Sequence, residues 1–481
     1  MDLRPALCIL GLLLLTLAGG MAVPALADAA TGNADWQVFA ACAGLAGFCG
    51  GALAIANAGS GLTLSIRQAF LLVPLAWATV AAFGALPFAL SSLALSPMDA
   101  LFESTSGITT TGATVITNLD QAPSGILVWR ALLQWLGGIG FVLTAVALFP
   151  FLNVGGMQMF RSNLGQSEGT MPRAGSLLLS LVVVYAALTA ACALGYAVLG
   201  GMGGFDAALH AMTTVSTGGF STSSASLSAW GNLGTQAVAV LFMLAGSLPL
   251  LLLLKAARGQ PGALISDPQV RAFLATALFC SLALAIWCVF HEGASLPNAL
   301  RTAVFHTVSV FSGTGFAVEA AGPWGPFPAA LFFFLMALGG CAGSTVSGAK
   351  VFRLQILTAV ARAQARRLLH PHGVFHPHYG HRVVPPDVPA AVMGFLFLYA
   401  GTFLALALGL SFLGLDFVTA ASGALASVSG SGVGLGPVIG LGGSFAPLPE
   451  AAKGLLTVGM ILGRLEVLPV LVLFAPPFWR R

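Results

Sequence analysis

Charge is scarce in this chain: only 7% of its 481 residues are Asp, Glu, Lys or Arg, against about 25% in soluble domains. Too little polar surface exists to cover a water-soluble globule. The net charge of +4 is a matter of loop topology and points to no nucleic acid. Seven cysteines, Cys8, Cys42, Cys49, Cys192, Cys280, Cys288 and Cys341, sit mostly in apolar spans without metal-ligand spacing, so they read as small buried hydrophobes. Neither GxxxxGK[ST] nor a strand-borne GxGxxG occurs, so the chain carries no nucleotide-binding motif of these kinds. An intramembrane enzyme would need a nucleophile–base pair or metal ligands. His210 and His306 are the only histidines near that depth, and neither has a Ser or carboxylate partner by spacing. No enzyme is expected.

Apolar windows of about 20 residues, the length that crosses a bilayer as a helix, recur along the whole chain. Continuous runs favour helices over barrel strands. Spans are expected near Leu7–Leu26, Trp36–Ala56, Phe70–Leu90, Leu127–Phe149, Leu177–Leu199, Leu233–Leu254, Phe273–Phe290, Ala329–Leu357, Val388–Leu410 and Leu455–Phe474. The opening stretch has a second reading as a cleaved leader, with Ala25-Leu26-Ala27 as a small-residue site. With a cytoplasmic N-terminus, most Lys and Arg fall inside, including Arg67, Arg161, Arg258, Arg353, Arg362, Arg480 and Arg481. Arg130, Arg301, Lys350, Lys453 and Arg464 do not. Acids such as Asp99, Glu103, Asp120, Asp206, Glu319 and Asp416 lie at the outer ends, where they would gather cations.

An internal repeat organises the rest. Four segments lie between apolar spans: DALFESTSGITTTGATV from Asp99, DAALHAMTTVSTGGFST from Asp206, TAVFHTVSVFSGTGFAV from Thr302, and DFVTAASGALASVSGSGVGLGP from Asp416 to Pro437. Gly112, Gly219 and Gly315 share one register, in which Glu103, His210 and His306 also coincide. Gly432 is placed at the matching position, with the fourth repeat carrying extra residues. Each unit reads as span, short helix, Ser/Thr/Gly turn, extended segment, span. An N-cap-like Asp is expected at the helix start in three repeats. Non-helical backbone at membrane depth is tolerated only inside protein or along a water-filled cavity. Four such turns around an axis would offer a ring of carbonyl oxygens to a dehydrated cation, with the negative ends of the short helices aimed at it. The fold expected is all-α and polytopic: two leading transmembrane helices (1–64), then four pseudo-fourfold repeats, potassium-channel-like, at 65–160, 161–260, 261–384 and 385–481.

Five motifs carry a resemblance: SGITTTGATV at Ser106–Val115, WRALLQWLGGIGFV at Trp129–Val142, MTTVSTGGFST at Met212–Thr222, GGCAGSTVSGAKVFR at Gly339–Arg353 and ILGRLEVLPVLVLF at Ile461–Phe474. The chain resembles the Trk/Ktr/HKT superfamily of potassium transporters and is most similar to the bacterial Trk-H membrane subunits. The resemblance implies filter strands at Thr110-Thr111-Gly112, Thr217-Gly218-Gly219, Gly313-Thr314-Gly315 and Gly430-Ser431-Gly432. Potassium would be the transported ion, with no transition metal and no cofactor in this chain. All four key positions are glycine, which in the superfamily goes with potassium preference. The third strand reads SGTGF in place of TTTGF, and the fourth SGSGVGLG in place of a Gly-Pro-Gly form. The resemblance also implies an intramembrane gate loop at Gly339, Gly340, Gly343 and Ser344, followed by Lys350. For Arg464 two readings stand: a pair with Glu466 or backbone that holds helices together, or an inner-pore cation that contacts the gate loop. Implied partners are a second copy of the chain and a cytoplasmic nucleotide-binding subunit of NAD or ATP type, in a bacterial inner membrane. Coupling to sodium or protons stays open. An alternating-access carrier is the rival class; broken helices suit it, but four same-sense repeats do not. The histidines His370, His372, His376, His378 and His381 read as a solvated loop rather than a metal site.

Overall fold

The computed structural model describes residues 2–60, 64–147, 155–157, 159, 171–318, 325–380, 382–436, 438–440 and 442–479. Arg161, Glu319, His381, Pro437, Arg480 and Arg481 lie outside the described residues, as does the expected repeat boundary at 160/161. Among the described residues, seven helices are long and apolar enough to cross a membrane, and two bent pairs raise the number to nine. Bulky apolar side chains such as Phe48, Phe279, Phe290, Phe397 and Phe412 stay exposed on them, as a lipid environment permits.

Helices Arg4–Thr31 and Trp36–Ala56 pair through small residues. A Cβ added to Gly11 would stand 2.6 Å from Gly50 O, and one on Gly50 2.8 Å from Gly11 O. Their backbones therefore touch, which is how helices gain contact where lipid removes the hydrophobic drive. Ile66–Leu90 opens on a capping box between Ser65 and Gln68, which satisfies the first free amides.

Four units of long helix, short helix and second helix follow. The short helices are Pro97–Ile108, Gly204–Val215, Leu296–Phe311 and Phe417–Ser429. Only Asp416 caps its helix, accepting from Thr419 N. Asp99 and Asp206 instead sit in the first turn, behind N-caps Ser96 and Gly203, where a carboxylate suits the positive helix end. Ser96, Gly203 and Asp416 each precede their key glycine by sixteen positions. The fourth repeat thus carries no extra residues. The third does: its N-cap, Ser295, stands twenty positions before Gly315.

The second helices differ from expectation. Ser124–Ala147 runs unbroken. The span expected at Leu233–Leu254 bends by 106° between Ser247 and Leu250, and that at Leu455–Phe474 by 106° between Arg464 and Leu468. Pro249 cannot donate within the first bend; Glu466 and Val467, both with φ of 58°, turn the second. Ala329–Leu357 is no single span: Pro326–Leu338 ends at Gly339, a buried loop follows, and Val351–Leu369 continues with Arg362, Arg366 and Arg367 exposed.

The five cations outside the positive-inside pattern are held by internal contacts. Arg130 binds Glu103 and Lys350 binds Glu466. Lys453 binds Asp99, Arg301 donates to Gln236, and Arg464 donates to Thr345 O of the buried loop. Arg353, assigned to a cytoplasmic loop from its sequence position, is buried against Glu466.

Candidate functional site

The short helices end alike. Thr110, Thr217, Gly313 and Gly430 take φ of 56°, 54°, 71° and 65°. The next amides fold back: Thr111 N bonds Ser106 O at 2.9 Å, Gly218 N bonds Thr213 O at 2.8 Å and Ser431 N bonds Ala426 O at 3.1 Å. This is the helix-ending turn that needs one left-handed residue. For the two threonines that conformation costs about 1–3 kcal/mol each, so surrounding contacts must hold it. Glycine at 313 and 430 removes that cost. The SGTGF strand keeps the left-handed residue, but there Gly315 N, and not Thr314 N, reaches back to Ser309 O, at 3.1 Å.

Two residues further on, Gly112, Gly219, Gly315 and Gly432 are again at positive φ, 86°, 78°, 79° and 60°. The residues between, Thr111, Gly218, Thr314 and Ser431, are not in that set. Positive φ thus recurs at every second residue of each turn.

The strands close into a ring. A Cβ on Gly112 would lie 2.1 Å from Gly218 O, and one on Gly219 1.6 Å from Thr314 O. From Gly315 the nearest such atom is Ser431 O at 3.0 Å, and from Gly432 it is Thr111 O at 2.1 Å. Each key glycine thus abuts the carbonyl of the next repeat, in the order first, second, third, fourth and back to the first. A side chain at any of the four would enter that ring.

Above the ring the extended limbs are tied together. Phe445 N bonds Thr114 O at 2.8 Å and Leu227 N bonds Ala317 O at 3.1 Å. Glu103 accepts from Arg130 Nε at 2.8 Å and from Val115 N at 2.9 Å, while Arg130 Nη1 donates to Ser221 O at 2.8 Å. Its charge is therefore matched inside the protein, and Glu103 braces the limbs of the first and second repeats. His210 does have a serine partner, contrary to its sequence spacing: Nε2 lies 3.0 Å from Ser221 Oγ, and Nδ1 2.9 Å from Asp206 O. The ring is fully buried and both nitrogens are engaged in bracing the same limb. In the loop before Ser124–Ala147, the Ser223 hydroxyl bond holds the Asp120 carboxyl below its usual range, so it stays charged there.

Below the ring lies the buried loop of residues 339–350. Gly339 and Gly340 begin it, Gly343 and Ser344 form its bend, and Lys350, at φ of 65°, ends it. Its backbone is satisfied from the bent second-repeat helix: Cys341 N bonds Ser247 O at 3.2 Å and Thr345 N bonds Gly246 O at 3.3 Å. The part that meets the strands is Thr345-Val346-Ser347. Thr345 Oγ1 is 3.0 Å from Thr217 Oγ1. Val346 Cγ1 lies 3.6 Å from a Cβ placed on Gly313, and Ser347 Cβ 3.1 Å from one on Gly430. These three residues were absent from the expected gate set. Their signal was the hydroxyl cluster Ser344, Thr345 and Ser347 at the centre of a run of small residues.

Arg464 anchors the loop. Its Nη1 donates to Thr345 O and to Ser347 Oγ, both at 2.8 Å, and Nη2 to Gly137 O at 3.2 Å. It makes no pair with Glu466, which instead binds Lys350 at 2.9 Å and Arg353. Lys350 and Arg464 both stand over the Phe141 ring, at 4.8 and 4.1 Å.

Fold and site together define a polytopic helical membrane protein whose four re-entrant turns ring one axis above an internal loop. The chain belongs to the TrkH family of cation transport proteins, whose family model matches residues 37–480. It is 43% identical over 422 residues to the Trk system potassium uptake protein TrkI of Halomonas elongata, covering 87% of this chain and 85% of that one. It is 35% identical to the Trk system potassium uptake protein TrkH of Escherichia coli K12, with 100% of both chains covered. The crystal structure of the potassium transporter TrkH from Vibrio parahaemolyticus superposes with a TM-score of 0.92 at 34% identity, again over 100% of both chains.

Proposed function

We propose that this chain takes up potassium through a filter formed by Thr110-Thr111-Gly112, Thr217-Gly218-Gly219, Gly313-Thr314-Gly315 and Gly430-Ser431-Gly432. The observation that carries the reading is the closed cycle of contacts from each key glycine to the next repeat's carbonyl. An ion shedding water needs its oxygens replaced at matching distances, and inward carbonyls do this without a fixed carboxylate. The short helices end at these turns, so their negative ends add favourable potential.

The loop 339–350 and Arg464 close the path beneath. Lys350, Arg353 and Arg464 outnumber Glu466 there, and a net positive charge opposes a cation arriving from the filter. Opening requires Thr345, Val346 and Ser347 to leave the strands. A cytoplasmic nucleotide-binding subunit is the partner that drives this, docking on the exposed Arg362, Arg366 and Arg367. The protein works as a homodimer in the bacterial inner membrane with its N-terminus cytoplasmic, as a transporter and not an enzyme.

Rubidium-86 uptake into proteoliposomes, with potassium or sodium as competitor, tests this. Block by potassium and not sodium is expected. Equal block by both ions would sink the selective filter and favour a carrier. Arg464→Ala removes two hydrogen bonds to the loop and one to Gly137 O. Basal uptake without any partner should rise about tenfold, on the scale of one charged hydrogen bond. An unchanged basal rate, with potassium block intact, refutes the anchor.

A further inference from the structure

Three of the four strands stiffen themselves with a hydroxyl pair. Thr109 Oγ1 lies 2.8 Å from Thr111 Oγ1, Ser312 Oγ 2.8 Å from Thr314 Oγ1, and Ser429 Oγ 3.1 Å from Ser431 Oγ. The second strand has no such pair. Position 218 is glycine, so the Ser216 hydroxyl, which bonds Thr213 O at 3.2 Å as Ser312 bonds Ser309 O, has no second hydroxyl to meet.

The vacant place is filled from another repeat. Gln134 lies on the helix Ser124–Ala147 and is fully buried. A Cβ on Gly218 would stand 2.3 Å from Gln134 Cδ and 2.7 Å from its Nε2. The three nearest atoms to that added Cβ all belong to Gln134, and Gly218 is not at positive φ. Gln134 is therefore the first obstacle a side chain at 218 would meet. The amide of Gln134 grips the strand at two points: Nε2 donates to Gly218 O at 2.7 Å, and Oε1 accepts from Phe220 N at 3.1 Å. Gly218 O is one of the four carbonyls of the ring, the one Gly112 abuts. A carbonyl has two lone pairs, so one bond to Gln134 fixes its direction and leaves the other for an ion.

We infer that Gln134 is a positioning residue of the second filter strand, standing in for the side chain that Gly218 lacks. It sets the aim of one ring carbonyl and couples the first repeat to the second. The inference rests on reading the four strands as an ion filter.

Two reciprocal changes test it. Gln134→Met keeps bulk and removes both hydrogen bonds. Gln134→Ala with Gly218→Thr vacates the place and supplies the hydroxyl found at Thr111 and Thr314. The readout is ion-dependent thermal stabilisation of the full-length protein in detergent, titrated with KCl or NaCl, which does not require an open gate. Wild type should discriminate potassium from sodium. Gln134→Met should lose about tenfold of that ratio, the scale of one buried hydrogen bond. The double variant should regain most of it, whereas Gly218→Thr alone should lose it by collision with Gln134. A Gln134→Met protein that discriminates like wild type overturns the inference, and so does a double variant that fails to recover. A wild type without discrimination overturns the filter reading itself, and the inference with it.

Discussion

Gly219→Ala should abolish discrimination between potassium and sodium, and Gly315→Ala should harm it least of the four key glycines. Both positions have positive φ, 78° and 79°, so alanine meets the same backbone cost at each. The difference is space. The new methyl at 219 would stand 1.6 Å from Thr314 O, whereas at 315 the nearest atom is 3.0 Å away. Backbone that carries an adjacent ring carbonyl cannot yield cheaply, while a shift of a few tenths of an ångström suffices at 315. Gly112→Ala and Gly432→Ala, each 2.1 Å from a carbonyl, should fall between. Overpacking of about 2–3 kcal/mol at 219 corresponds to about a hundredfold in selective binding. Competitive rubidium-86 uptake measured on all four variants gives the ranking. A Gly219→Ala protein that still prefers potassium, or a Gly315→Ala protein worse than Gly219→Ala, contradicts the ring geometry.

The architecture was legible because hydrophobic length and the recurrent Ser/Thr/Gly turn are both local signals. Trp36–Ala56 was read to the residue, since polar residues flank it. What escaped is non-local. Hydropathy averages over Leu233–Leu254 and Leu455–Phe474, so it does not register a 106° bend made by one proline or by two residues at positive φ. The spacing of the fourth repeat was measured from Asp416 against Asp99 and Asp206. The three differ in role, one an N-cap and two in the first turn, and the apparent insertion came from that mismatch. Gln134 was passed over inside WRALLQWLGGIGFV, although a lone amide in an apolar span needs buried partners and so marks an internal contact. The pairing of Arg464 with Glu466 was suggested by their nearness in sequence. Helix geometry separates them: the helix ends at Arg464, and the turn at Glu466 aims its carboxylate at Lys350 and Arg353 instead.

Glu466→Gln should be far more damaging than Lys350→Met, although both break the same ion pair. Glu466 is 2% exposed and is shared by two cations, Lys350 and Arg353, each fully buried. Removing the carboxylate leaves both cations buried without a counter-charge, and removing one partner of a buried pair costs about 3–5 kcal/mol. Removing Lys350 instead leaves one carboxylate facing one guanidinium, a neutral pair with Arg353 still bound to Gly155 O at 2.8 Å. Methionine fills the same space against Phe141 and needs no counter-ion. Thermal unfolding in detergent should therefore fall steeply for Glu466→Gln and little for Lys350→Met. The double variant should lie between them, because it carries one unpaired cation rather than two. Equal losses for the two single variants would mean that Glu466 serves Lys350 alone. Lys350 ends the loop and Glu466 sits at the turn after Arg464, so one carboxylate ties the loop to the last bent helix pair.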